Sequence, residues 1–174
     1  MKRPTNSSWR SACGLYTVHV SSKSLDCMAR MAVATLPSEV GTSLVGSYSD
    51  DGFVARVEEL APLPSDSRGS WSAFHRGVLG MTNYFTKLFA DSSGKRYYVG
   101  EWHSHPDGSP HPSGTDDAAL HAICRDARTK CPEVVLVLLG GSIRHLPSIG
   151  VYVYSRTRGR VTLVRLPDQT ATTS

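Results

Sequence analysis

Cysteine is sparse. Four residues in 174, with no C-x-x-C pair, supply neither a disulfide framework nor the close cysteine pair that structural zinc sites favour. Cys13, Cys27 and Cys124 stand among apolar neighbours and are expected to be buried, reduced thiols that pack as small hydrophobes. No apolar run approaches the ~18 residues of a membrane-spanning helix. The longest, Val134 to Leu139, has the length of a buried strand, and mean hydropathy is −0.23. The basic start Met1-Lys2-Arg3-Pro4 is followed by no apolar signal segment, so a cytoplasmic location without membrane attachment is expected. Absence of an H-E-x-x-H string excludes one class of zinc protease, and absence of P-C-x-x-C leaves a zinc nucleobase deaminase a weak reading. Fifteen Gly and ten Pro are too scattered for a low-complexity chain.

Excess charge of one sign is also small. Nineteen Lys and Arg against fifteen Asp and Glu leave +4. The one dense basic cluster, Arg156, Arg158, Arg160 and Arg165, alternates around a turn and reads as a solvated hairpin edge, with a basic surface for an acidic partner as the alternative. Nucleic acid is not the expected partner, since its binders concentrate such an excess on one face.

What is present is a mixed series of elements in a length suited to one domain, 1–174, with an ordered core over about 14–166 and a frayed tail over 167–174. Alternation predicts a strand over 14–21. Leu25, Met28, Met31, Ala32 and Leu36 follow at helical spacing and stop before Pro37. Strands over 42–48 and 52–60 flank an Asp-Gly turn, and 61–69 is a proline-broken loop. Trp71, Phe74, Val78, Met81, Phe85 and Leu88 predict a second amphipathic helix over 70–90, loosened at Gly77 and Gly80. A strand over 96–102, a His- and Pro-rich loop to Gly114, a helix over 115–130 and strands over 133–140, 149–155 and 160–166 complete the chain. Six or seven strands and three helices make an α/β (α+β) fold with a mixed or largely antiparallel sheet covered by helices.

The reactive residues crowd into one stretch, Glu101 to Asp117. His103 and His105, two apart at a strand end, face the same way, so both imidazoles can converge on one ion. Pro106 then turns the chain off the sheet. Asp116, eleven residues beyond His105, falls in the first turn of the next helix, and Ser113 can cap that turn. Two histidines and a carboxylate with a fourth position open is the pattern of a catalytic zinc site, although acids at helix starts are common without any metal. Glu101 shares the facing of the histidines, either orienting an imidazole or simply facing solvent. Trp102 faces the other way, into the core. His111 is expected to be an exposed loop histidine, and Asp117 an acid placed by the helix dipole. His19, His75, His121 and His145 have no convergent partners in the sequence.

The run His103-x-His105-Pro106 followed by Ser113-x-x-Asp116 resembles the signature of the JAB/MPN/JAMM metallopeptidases. That family also carries an upstream glutamate before an E-x-G-G strand, and Glu39-Val40-Gly41-Thr42-Ser43-Leu44-Val45-Gly46 stands in that place, with Thr42 where the second glycine belongs. The likeness spans roughly Tyr16 to Val153, and the segment Gly100 to Gly108 is similar to a bacterial branch found beside E1-like and E2-like conjugation enzymes in anti-phage operons, including CBASS systems. The resemblance implies a cytidine-deaminase-like JAB/MPN fold. It implies one zinc ion per chain on His103, His105 and Asp116, Glu39 as general base, and Ser113 steadying the oxyanion. It further implies hydrolysis of a peptide or isopeptide bond after the C-terminal tail of a ubiquitin-like protein or a conjugated cGAS-like nucleotidyltransferase, with E1/E2-like operon partners. Substrate contact is implied for the loop over 61–69 and the helix after it. The alternative within the family is a catalytically silent MPN scaffold, but such relatives usually lose ligands that this chain keeps.

Overall fold

The structure is a computed structural model and describes residues 6–167. Its centre is an eight-stranded closed barrel. In chain order the elements are β1 (Ser7–Ser11), β2 (Thr17–Val20), α1 (Ser22–Thr35), β3 (Gly41–Tyr48), β4 (Val54–Leu60), the short β5 (Arg68–Gly69) and β6 (Phe74–His75), α2 (Met81–Asp91), β7 (Tyr97–Pro106), α3 (Gly114–Arg125), β8 (Glu133–Gly141), β9 (Ser148–Ser155) and β10 (Gly159–Arg165). Around the barrel the order is β1-β10-β9-β8-β7-β3-β4-β2, and β2 pairs back onto β1. Only β2–β4 and β7–β8 are parallel; the other pairs are antiparallel, so the sheet is mixed as expected. No helix among the described residues is long and apolar enough to cross a membrane.

The central strand explains the layering. β8 is buried along nearly its whole length, as a strand covered on both faces must be. Val135, Val137 and Leu139 join the interior cluster with Met28 and Ala32 of α1, whereas Val134, Leu136 and Leu138 pack with Leu120 and Cys124 of α3. Ser21 caps α1 by accepting the Ser24 N–H, and the helix ends where Leu36 turns extended ahead of Pro37. α2 covers a smaller third cluster through Met81 and Leu88.

Four expectations are revised. Ser7–Ser11 lies outside the span 14–166 expected for the core, yet it closes the barrel. Its five residues carry one apolar side chain, the buried Trp9, too little alternation to register as a strand. The helix expected over 70–90 begins only at Met81: residues 68–75 form a hairpin instead, and left-handed Gly80 sets the helix start. Apolar residues at three- and four-residue intervals are shared by a helix and by an exposed hairpin, and Trp71, Val78 and Leu79 are in fact exposed. The third helix stops at Arg125 rather than 130, with a 3-10 turn at Ala127–Thr129 closed by left-handed Lys130. Cys13 is exposed and Cys27 half-buried rather than buried, while Cys124 and Cys131 are buried; all four thiols are free. The tail expected over 167–174 lies, beyond Pro167, outside the described residues.

Arg156, Arg160 and Arg165 are engaged within the chain: Arg156 Nε donates to the Cys124 carbonyl at 2.8 Å, Arg160 pairs with Asp117 at 2.8 Å, and Arg165 donates to Ser7 Oγ and lies over the Trp9 ring. Asp117, read as a helix-dipole acid, therefore also ties α3 to the β10 strand and accepts the Tyr154 hydroxyl.

Candidate metal centre

β7 runs to Pro106, pairing in parallel with β8 as far as Gly141, so both histidines sit within a strand rather than in the loop beyond it. Alternation on this strand sorts its residues. Trp102 and Ser104 turn inward and are fully buried, while Glu101, His103 and His105 share the opposite face. On that face His103 Nε2 and His105 Nε2 lie 3.0 Å apart. Asp116 Oδ1 stands 3.1 Å from His103 Nε2, and Asp116 Oδ2 stands 3.6 Å from His105 Nε2. Ligand atoms of Glu39, His103 and His105 all fall within 4.8 Å of one another.

Each group is held by its own local device. His105 Nδ1 is 2.9 Å from the Ser109 carbonyl, which can only accept; the proton therefore sits on Nδ1 and the Nε2 lone pair faces the cluster. The loop that brings Ser109 there rests directly on β8 and β9. A Cβ on Gly140 would meet Pro110 N at 2.6 Å, and one on Gly150 would meet Pro110 O at 2.1 Å. Asp116 belongs to a capping box: Ser113 donates both its N–H and its O–H to Oδ2 at 2.7 Å, and Ser113 Oγ accepts the Asp116 N–H. Oδ2 is thus fixed by the helix start and Oδ1 is left to face His103. Burial pushes the Asp116 carboxyl up, but His103 and the Ser113 hydrogen bonds prevail and hold it well below the usual carboxylate range.

Glu39 reaches the site through strand β3. Gly41 lies so close to β7 that a Cβ would meet Trp102 O at 2.1 Å and His103 Cβ at 2.6 Å. Thr42, the departure from the E-x-G-G pattern, is accommodated with its hydroxyl donating to the Pro62 carbonyl. Inward-facing Ser104 adds a tie that alternation alone did not reveal. Its hydroxyl accepts the Val40 N–H at 3.1 Å and its own N–H donates to Val40 O, fixing the backbone next to Glu39. The Glu39 carboxyl is pushed above its ordinary value by burial, against the pull of His105 and His103 and with a push from Asp116. Gly41→Ala is expected to cost about 1–3 kcal/mol of stability, as overpacking does; a denaturant midpoint unchanged from the parent chain would show that the strands can part without cost.

The site opens into a groove of about 700 Å³ whose lining includes Glu39, His105, Ser113 and Asp116 together with Trp71, Phe74 and His111. His111 is exposed as expected, but its Nδ1 lies 2.8 Å from the Tyr152 hydroxyl. That hydroxyl donates to Pro110 O, so His111 must be the donor. Glu101 is not solvent-facing. It is 6% exposed, 2.9 Å from Arg76 Nε, and accepts the Ser43 hydroxyl at 3.4 Å rather than touching an imidazole. His19 bonds Ser8 and His121 meets the Tyr154 ring edge-to-face, and neither lines the groove.

The donor set fits a metal ion. The His103 Nε2–His105 Nε2 and His103 Nε2–Asp116 Oδ1 separations of 3.0 and 3.1 Å are close to the edge, roughly 3.3 Å, of a tetrahedron with bonds near 2.0–2.1 Å, and the 3.6 Å contact with His105 Nε2 comes from the other Asp116 oxygen, Oδ2. An Nε2 lone pair fixed by the Nδ1 contact and a carboxylate oxygen left free by the capping box are what such an ion requires.

Comparison with known proteins shows the family. Residues 21–154 match the family model of prokaryotic homologs of the JAB domain. A protein of Enterobacter hormaechei subsp. hoffmannii named CD-NTase/cGAS isopeptidase is 39% identical over 127 residues, covering 73% of this chain and 69% of its own length. One of the same name from Pseudomonas aeruginosa is 26% identical over 133 residues, 76% of this chain and 83% of its own. A probable metalloprotease of Sinorhizobium fredii is 35% identical over 138 residues, 78% and 82% respectively. A solution structure of a Desulfitobacterium hafniense protein shares the fold, with a TM-score of 0.56 and 19% identity over 82% of this chain and 87% of that one.

Proposed function

Because the chain belongs to the family of prokaryotic homologs of the JAB domain, we propose that it is a zinc-dependent isopeptidase of the JAMM type, cutting the amide bond that joins the C-terminal tail of one protein to another. The relatives' names point to a conjugated nucleotidyltransferase of the CD-NTase/cGAS kind as the substrate. A ubiquitin-like tail presents the same chemistry. The observation that carries the reading is the convergence of His103, His105 and Asp116 beside Glu39, with Glu39, His105 and Asp116 lining an open groove.

His103 Nε2, His105 Nε2 and Asp116 would hold the ion. Bound there, zinc supplies a Lewis acid that polarises the scissile carbonyl and lowers the pKa of water toward ~7. Glu39 is the proton carrier: its carboxylate takes a proton from the attacking water and delivers it to the leaving nitrogen as the carbon–nitrogen bond breaks. Its carboxylate lies within 4.8 Å of both imidazole nitrogens, close enough to reach a water held beside them. Ser113 caps α3 at rest, and its hydroxyl can turn to the developing oxyanion because Asp116 Oδ2 keeps the Ser113 N–H. The groove, with Trp71 and His111 in its lining, takes an extended tail. The β5–β6 hairpin forms a two-stranded sheet of its own, with Phe74 of β6 in the lining of the groove, and offers a strand edge along it.

Incubation of the purified protein with a fusion carrying such a tail, with and without a chelator, tests this. Cleavage that stops on chelation and returns with zinc is expected, together with about one zinc per chain. Intact fusion in the presence of stoichiometric zinc, for both kinds of tail, would leave the scaffold reading.

A further inference from the structure

The segment from Ser67 to Leu79 is a flap, and its contacts with the barrel come in order. The Phe74 ring stacks on the His103 imidazole, with centroids 6.2 Å apart and planes 25° from parallel. Two residues later, Arg76 Nε lies 2.9 Å from Glu101 Oε2. On β7, Glu101 stands two residues before His103 and on the same face. The two contacts are therefore successive rungs between antiparallel segments, one covering a ligand and one ionic.

The rest of the flap is closed mostly on itself. Asp66 accepts the Val78 and Leu79 N–H groups, and Ser67 Oγ accepts the Gly77 N–H. A further tie crosses to the site, from Glu39 N to Ser70 O at 2.8 Å. The tip is open to solvent, with Trp71 78% exposed. A stack of two rings tolerates sliding, whereas a charge pair with one partner buried fixes a position. Among the described residues, Arg76 is the cation paired with the buried Glu101 carboxylate.

We propose that the Arg76–Glu101 ion pair is a positioning device: it sets the register of the flap on β7, so that Phe74 covers His103 and Trp71 stands along the groove. This deepens the reading of the groove as a substrate site, but its first test does not depend on that reading.

Limited chymotryptic digestion of the full chain, reading cleavage after Trp71 and Phe74, decides it. Arg76→Gln is expected to be cut there about tenfold faster than the parent, as loss of a half-buried charge pair shifts a local opening equilibrium. Arg76→Lys, which keeps the charge, recovers most of the protection. Glu101→Gln, changing the barrel side, gives the same new cleavage as Arg76→Gln. With a tail-fused substrate, Arg76→Gln raises KM about tenfold while kcat changes less than about threefold, because the flap borders the binding groove and supplies no reacting group. Unchanged flap cleavage in both glutamine variants, or a lysine variant no better protected than the glutamine one, overturns the proposal. A flap that loosens as described in a protein without peptidase activity upholds the positioning role and removes the isopeptidase reading alone.

Discussion

Replacing Glu39 by glutamine is expected to lower kcat on a tail-fused substrate by about 10²–10⁴-fold, the usual contribution of a positioned acid–base group, with KM and zinc content close to those of the parent chain. Glutamine preserves shape and leaves His103, His105 and Asp116 in place, so only the proton route is lost. The same substitution should act oppositely on stability. In the metal-free protein burial raises the Glu39 carboxyl above its ordinary value. An acid raised in the folded state favours folding while protonated. That advantage is lost as pH climbs from its unfolded value, about 4.3, through the raised one. At neutral pH an ionised Glu39 therefore opposes folding, and Glu39→Gln should raise the thermal midpoint of metal-free protein at pH 7 but not below about pH 4. Retained turnover in Glu39→Gln would remove this residue from the proton-carrying role; a midpoint that does not rise at pH 7 would place the carboxylate in a more hydrated setting than the half-buried one described.

How much of this could be read from residues alone depended on whether the signal was local. His103 and His105 alternate on a strand, Ser113 and Asp116 sit three apart at a helix start, and the Val134–Leu139 run announces a doubly covered strand. Short spacing of this kind maps directly onto geometry. Glu39 was legible only through the resemblance, because sixty-four residues separate it from His103 in the chain and the link between them is the close β3–β7 contact at Gly41. The contributions of Ser104 and Arg76 were not legible. Nothing local marks Ser104, between the two histidines, as the residue whose hydroxyl secures the backbone beside Glu39. Arg76 lay inside an expected helix, where its partner could not be guessed. The hairpin that replaces that helix exists because it closes on itself through Asp66 and Ser67 and rests on Glu39 and β7. These contacts are tertiary, and periodicity in one segment does not record them.

Asp116→Asn is the sharpest test of the ligand assignment, since Glu39 also lies within ligand distance of both imidazoles. Zinc affinity is expected to fall by more than about 10–100-fold, the loss that even outer-shell partners of a ligand produce. The reason is positional. Asparagine can keep its carbonyl oxygen at the Oδ2 position, where Ser113 donates twice, and so preserve the cap of α3. Its amide NH₂ then occupies the place of Oδ1, presenting a donor to the imidazoles and to any cation between them. In the metal-free protein the stability change runs against that of Glu39→Gln. Asp116 is held well below the usual range, so its charge contributes stability above the unfolded value of about 3.9 and loses it as pH falls. Asn at this position should therefore lower the thermal midpoint at pH 7. Two carboxylates facing the same pair of imidazoles, one drawn down by hydrogen bonds and one pushed up by burial, are suited to different tasks: the first to stay ionised and bind a cation, the second to accept and release a proton. Equilibrium dialysis of both variants against zinc separates the tasks. Parental affinity in Asp116→Asn with loss in Glu39→Gln would exchange the two roles.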